Sequence, residues 1–241
     1  MSITMKQKKT AIITGASRGI GAALALHLAE SGMNLCLVAR DKNALEEVAA
    51  GCTKLGAACL IFSGSVDDVD LVNHAVESAL QNFGGIDFMI NNAGYGVFKR
   101  ASEITVEEWD NLYDVNVKGT FIFSKAVLPI MKKQGSGHII NVASDVAKRV
   151  FDGGSLYCSS KYAQDAFSMA LRKEVREFGI KVSVIYSGLV DSMFHKEPQG
   201  DASHSEWLQV SDMARSIAFV MNQPKHVVID ELMIHPLSQE Y

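Results

Sequence analysis

Thr14-Gly15-Ala16-Ser17-Arg18-Gly19-Ile20-Gly21 joins a short β-branched run, residues 10–14, to an amphipathic stretch over residues 20–31. The glycines follow a G-x-x-x-G-x-G spacing. Glycine permits positive φ and lets a backbone approach a ligand closely. The helix that follows opens with free N–H groups and a positive dipole end, both suited to pyrophosphate. A glycine triplet alone also fits a plain tight turn, so its place on the first strand-to-helix turn carries the argument.

Outward from that turn the same unit repeats. Apolar runs over residues 34–39, 57–62 and 86–90 alternate with helix-like stretches at 42–55 and 67–83. Residues 102–133 hold about two helices. A strand at 138–143, a long helix at 155–178, a strand at 181–186, a helix at 211–221 and a strand at 227–234 complete the chain. Continuous apolar strands separated by helices predict a parallel sheet covered on both faces. The expected class is α/β: a Rossmann-type doubly wound sheet of about seven strands, one domain over residues 1–241. Residues 191–211, with Pro198 and Gly200, are polar and aperiodic. They read as a long surface loop with room for one short helix, placed to act as a substrate lid.

Composition narrows the function classes. The 241 residues are 48% hydrophobic and 21% charged, which suits a folded globular chain. Lys plus Arg total 23 against 27 Asp plus Glu, a net charge of -4, which argues against a general nucleic-acid or membrane-surface binder. No apolar run reaches membrane-spanning length and residues 1–10 lack a signal-peptide core, so a soluble cytoplasmic protein is expected. Cys36, Cys52, Cys59 and Cys158 are scattered, which suggests neither a disulfide framework nor a zinc site. No metal is expected.

The residue after the second strand faces the adenosine ribose in such folds. Here it is Arg40, followed by Asp41. A guanidinium suits a 2′-phosphate, and Arg18 can join it, so NADP(H) is the expected cofactor. Asp41 is expected to cap the next helix.

Tyr157 and Lys161 stand four residues apart on one face of the long helix. A nearby ammonium lowers a phenol's pKa, which makes a tyrosine usable in proton transfer. Ser144 follows the strand at 138–143, at a carboxyl edge where open α/β sheets bind ligands. Asn91-Asn92-Ala93-Gly94 follows another strand, and Asn116 lies in the helical stretch before Lys133.

In this order and at these spacings the residues resemble the short-chain dehydrogenase/reductase family, in its compact NADP-preferring branch. The resemblance runs from about residue 9 to residue 234. It implies a tetrad. Tyr157 would give a proton to a carbonyl oxygen, and Lys161 would lower its pKa and bind the nicotinamide ribose. Ser144 would hold the substrate oxygen, and Asn116 would anchor a water leading from Lys161 to solvent. The implied cofactor contacts are Gly15, Ser17, Arg18, Gly19, Ile20, Gly21, Arg40, Ser65, Val66, Asn91, Ala93, Gly94, Tyr157, Lys161, Gly188, Val190 and Ser192. Two places depart from the family pattern. Ser65-Val66 stands where Asp-Val is usual, and Ser187-Gly188 where Pro-Gly is usual.

The function so implied is NADPH-dependent reduction of a ketone or aldehyde to an alcohol, reversible, on a small-molecule substrate. Homodimers or homotetramers are implied, with Phe121, Phe123, Phe167 and Met169 in the interface or the core. The alternatives are a 3-oxoacyl carrier-protein reductase, which would need a basic docking patch such as Lys132, Lys133 and Arg172, and a non-catalytic NADP-binding sensor. Tyr95, Val97, Phe98, Phe151, Leu189, Met193, Phe194 and Trp207 are candidates for an apolar substrate pocket. Asp145 is expected to cap a loop, Lys148 and Arg149 to be solvated, Cys158 to pack away from the active face, and His235 and Pro236 to be structural. His195 and His204 lack partners at metal-ligand spacing.

Overall fold

The computed structural model describes residues 8–194 and 198–240. Seven parallel strands form the main sheet: β1 (Thr10–Thr14), β2 (Asn34–Ala39), β3 (Cys59–Ser63), β4 (Phe88–Asn91), β5 (Gly137–Val142), β6 (Ile180–Ser187) and β9 (Glu231–Ile234). Their spatial order is β3-β2-β1-β4-β5-β6-β9. The order reverses direction between β1 and β4, which opens a crevice at their carboxyl ends.

Alternation along each strand divides the core in two. Ala11, Ile13, Leu35 and Leu37 point to the face covered by α1 (Gly19–Glu30), α2 (Lys42–Lys54) and α7 (Val210–Met221). Ile12, Cys36 and Val38 point to the other face, under α3 (Val69–Phe83), α5 (Gly119–Gln134) and α6 (Ser155–Val175). Both faces are covered, so β1 and β2 show no polar alternation. Each fully buried Ile or Leu contributes about 1.5–3 kcal/mol of transfer free energy.

Local chemistry starts most helices. Asp41 accepts from the Ala44 N–H at 3.2 Å, as its sequence position suggested. Asp68 caps α3 through the N–H groups of Asp70 and Leu71. Thr105 and Glu108 form a reciprocal capping box on α4 (Val106–Tyr113). Between α4 and α5 the chain widens into one π-turn, Asp114–Lys118, which carries Asn116. The first helix is different: Arg18 precedes it in extended conformation and gives it no side-chain cap.

Two expectations need correction. The last strand begins at Glu231 rather than at residue 227. Val227 instead closes a turn onto the Pro224 carbonyl, and Lys181 gathers the carbonyls of Gln223, Pro224 and Val227. The 191–211 loop is more structured than its polarity suggested. β7 (Val190–Asp191) pairs in parallel with β8 (Leu208–Gln209), and Ala202–His204 is a 3₁₀ turn. Asp191 is the anchor: its carboxylate accepts the Gly200 N–H at 2.9 Å and lies 3.0 Å from His204 Nδ1, with both side chains buried. Trp207 stacks on His204 at 3.8 Å. His195 lies outside the described residues. No group of three or more potential metal ligands occurs among the described residues.

The glycine turn is fixed by packing. Gly15 has φ +66°, and a Cβ on it would lie 2.9 Å from Ala93 Cα. A Cβ on Gly21 would lie 2.3 Å from the Gly15 carbonyl oxygen. Gly21→Ala is therefore expected to force the turn apart, costing about 1–3 kcal/mol of stability. Thermal unfolding checks this. An unchanged Tm would show that the turn relaxes freely.

Candidate active site

A cavity of about 900 Å³ opens at the carboxyl ends of β1, β4, β5 and β6. Its size is within the range of small-molecule sites. It has two ends, one basic and glycine-lined, the other aromatic.

At the first end, Gly15, Ser17, Arg18, Gly19 and Ile20 bring the uncapped start of α1 to the cavity wall. Arg40, Ser65, Val66 and Gly94 line the cavity with them, and Ala93 packs against Gly15. Arg18 and Arg40 supply fixed positive charge and forked donors, and the α1 N–H groups are unclaimed by any side-chain cap. This donor set fits a phosphorylated dinucleotide. Ser65 donates to Asp67 Oδ1, so its hydroxyl proton is committed within the protein.

Three sequence-named residues stand behind the wall rather than on it. Gly21 packs under Gly15. Asn91 donates to Asn141 Oδ1 at 2.8 Å and Ser124 Oγ at 3.1 Å inside the sheet. Its neighbour Asn92 lines the cavity instead and donates to the carbonyls of Thr14 and Gly15. Asn116 is fully buried. It donates to the Tyr95 carbonyl and to Ser160 Oγ, and accepts the Tyr95 N–H at 3.1 Å.

Ser144, Tyr157 and Lys161 converge on the cavity at the ends of β5 and α6. The Ser144 hydroxyl stands beside that of Tyr157. Lys161 Nζ stands 5.9 Å from the Tyr157 ring centroid, and donates to the Val142 carbonyl at 3.2 Å and Gln164 Oε1 at 3.1 Å. Gln164 donates to Thr120 Oγ1, which donates to the Asn116 carbonyl. A continuous chain of protein groups thus joins Lys161 to the π-turn. Gln164 and Thr120 escaped the sequence reading. Gln164, three residues past Lys161 on the same helix face, was the available signal.

Burial sets the electrostatics. It raises the Tyr157 pKa above the ordinary phenol value; the Ser144 hydrogen bond acts against that, and Asp145 and Cys158 add to it. The lowering expected from Lys161 is not found in the protein alone, where desolvation of the phenolate dominates. Lys161 itself is pushed down to about 8 by burial.

Asp145, Lys148 and Arg149 also depart from expectation. Asp145 is buried and accepts from Ser144 Oγ at 3.0 Å and from Arg149 Nη2 at 2.5 Å. Lys148 is paired with Asp165 at 2.8 Å and Glu231 at 3.4 Å rather than solvated. His235 Nε2 lies 3.4 Å from Asp145, which brings it to the edge of the site. Cys158 packs away, against Gly154, as expected.

The aromatic end is built from Phe98, Phe151 and Phe194 beside Tyr157. Ring centroids of Phe98 and Phe194 lie 5.4 and 5.6 Å from Tyr157. Tyr95, Leu189 and Met193 complete the wall, whereas Val97 and Trp207 do not reach it. Gly188, Val190 and Ser192 also line the cavity.

The buried ammonium destabilises the fold while it stays charged. Its ordinary value of 10.5 falls to about 8 on folding, so the cost, about 3 kcal/mol by linkage, is present below pH 8. It fades as pH rises from 8 toward 10.5. The Tm of the wild type relative to Lys161→Met should therefore rise over that window. A flat difference would show that Lys161 is neutral, or solvated, throughout.

Residues 9–202 match the family model for short chain dehydrogenases. An uncharacterised oxidoreductase of Staphylococcus aureus (strain MRSA252) is 34% identical over 235 residues, covering 98% of this chain and 100% of that protein. The alcohol dehydrogenase from the archaeon Thermococcus sibiricus, solved in complex with 5-hydroxy-NADP, superposes with a TM-score of 0.91 at 31% identity, covering 97% of this chain and 99% of that one. A metagenomic short-chain oxidoreductase in complex with NADP gives a TM-score of 0.84 at 28% identity, covering 96% and 98%. The chain belongs to the short-chain dehydrogenase family and is an oxidoreductase of that family.

Proposed function

We propose that the protein is an NADPH-dependent carbonyl reductase, reversible as an alcohol dehydrogenase, acting on bulky apolar ketones or aldehydes. One observation carries the reading: Tyr157, beside Ser144, lines the cavity together with the basic cradle and packs against the aromatic wall.

NADPH, when bound, supplies the hydride. The residues do the rest. Arg18, Arg40 and the start of α1 hold its phosphates. Tyr157, kept protonated by burial, gives its proton to the substrate oxygen. Ser144 holds that oxygen beside the phenol, and Lys161 stabilises the phenolate left behind. Gln164, Thr120 and Asn116 orient the Lys161 ammonium. Phe98, Phe151 and Phe194 bind the apolar part of the substrate and exclude water. The NADP-bound relatives support the cofactor, and the T. sibiricus protein, named an alcohol dehydrogenase, supports the reaction class.

None of the basic residues named for a carrier-protein docking patch lines the cavity. Lys132 and Lys133 lie in the last turn of α5, whose end leads into the start of β5, at the sheet edge away from the cavity. Arg172 is spent on Asp230 and the Val182 carbonyl. The proposed setting is the cytoplasm, and no described helix is long and apolar enough to cross a membrane. The proposed assembly is a homodimer or homotetramer through α5 and α6, where Phe121 and Met169 are half-exposed and Phe121 meets Phe167.

The test follows NADPH and NADH oxidation against diketones, aromatic ketones, 3-oxo esters and an acyl carrier thioester. Turnover should favour NADPH and aromatic ketones. Tyr157→Phe should lose about 10²–10⁴-fold in kcat while still binding NADPH. Turnover of the thioester alone would instead favour the carrier-protein reading.

Arg40→Ser should cut kcat/KM for NADPH about 10–100-fold, the worth of a lost charge-assisted phosphate contact, and leave NADH nearly unchanged. Equal losses with both cofactors would remove Arg40 from the 2′-phosphate site.

A further inference from the structure

The C-terminal tail reaches the active site. After β9 the chain turns at Pro236, whose carbonyl accepts the Gln239 N–H at 3.1 Å. The Gln239 side chain then points back to the cavity wall. Its Nε2 donates to Asp145 Oδ2 at 2.9 Å, and its Oε1 accepts the Leu189 N–H at 2.8 Å. Gly188 makes room for it: a Cβ there would lie 2.2 Å from Gln239 Oε1.

Asp145 matters because of what it takes from Ser144. The serine hydroxyl has one proton and two protein acceptors, Asp145 Oδ1 at 3.0 Å and the Ser187 carbonyl at 3.3 Å. The carboxylate is nearer and, as a charged acceptor, stronger. In the protein alone the serine proton is drawn toward Asp145, and the carboxylate sets the side-chain direction from which Ser144 turns that proton to a substrate oxygen. The direction in which Ser144 points thus depends on where Asp145 is held.

We propose that Gln239 is a positioning residue of the reaction: its amide holds the Asp145 carboxylate that orients Ser144, and the same side chain holds Leu189 at the start of the substrate-end segment. One side chain from the tail thereby fixes both the serine and the wall facing it. Arg149 and His235 approach Asp145 Oδ2 beside the Gln239 amide. Ser144 is on Oδ1, so the carboxylate is held on one oxygen and works through the other. The inference rests on the proposed role of Ser144 and Tyr157.

The experiment compares steady-state kinetics with NADPH, NADPH affinity by fluorescence titration, and Tm, for the wild type and four variants. Gln239→Ala should lower kcat about tenfold, as misplacement of a reacting group does, with NADPH Kd and Tm unchanged. Gln239→Glu keeps the acceptor for Leu189 but faces Asp145 with a second carboxylate, and should fall further. Adding Asp145→Asn to Gln239→Glu removes the carboxylate that Ser144 and Arg149 use, and should leave kcat no higher than in Gln239→Glu alone. Leu237→Ala, on an exposed tail residue outside the site, should match the wild type. A wild-type kcat in Gln239→Ala, or a kcat loss matched by a loss of Tm, would overturn the inference alone. A wild type that turns over no carbonyl would overturn the proposed reaction, and this inference with it.

Discussion

The Thr14 hydroxyl joins the two strands between which the sheet reverses direction. Its oxygen accepts the N–H groups of Asn92 and Ala93, both at 3.0 Å, and its proton points toward the Ile90 carbonyl at 3.4 Å. One side chain thereby satisfies backbone groups that leave the ladder where β4 ends, at a depth where unpaired polar groups are costly. With the Asn92 amide on the Thr14 and Gly15 carbonyls, it locks the loop after β4 against the glycine turn. That contact is close enough to forbid a Cβ at Gly15 or Gly21. The uncapped start of α1 and the cavity both follow from it, because the turn has only one way to lie.

The chemical end depends on a different balance. Tyr157 and Lys161 are both removed from water, and burial opposes the charged form of each: it raises the phenol and lowers the ammonium. Their two shifts bring the proton affinities of an acid and its partner cation to opposite sides of their ordinary order. The protein alone therefore favours a neutral phenol, the form that can give a proton. The arrangement suits reduction before any ligand charge is counted.

Sequence pattern was a good guide to the elements and a poorer one to what polar side chains do in them. The glycine turn, the strand order class, Asp41 as a cap and the convergence of Ser144, Tyr157 and Lys161 were all readable, because each is a local or periodic signal. The 191–211 segment was not, because its order comes from a buried Asp191–His204 contact thirteen residues apart and a two-residue ladder, neither of which has a period. Asn91 and Asn92 show a finer limit. Adjacent strand-end residues point to opposite sides, and only the pleat decides which one enters the sheet and which faces the cavity. Lys148 and Arg149 read as solvated because a charge run carries no mark of its partners, and those partners, Asp165, Glu231 and Asp145, come from separate parts of the chain or lie buried.

The tail contact is the extreme case of the same limit. Gln239 is 94 residues from Asp145 and 50 from Leu189. An uncharged amide near a chain end, among exposed neighbours, has no pattern that sets it apart. Yet an amide meets both demands at once, since it carries a donor for the carboxylate and an acceptor for the backbone N–H. A carboxylate could meet only the second and an ammonium only the first. The placement of β9 at the sheet edge next to β6 is what brings the tail over Gly188, so the last strand does more than close the sheet. It delivers the Gln239 amide to the cavity wall beside Gly188 and Leu189.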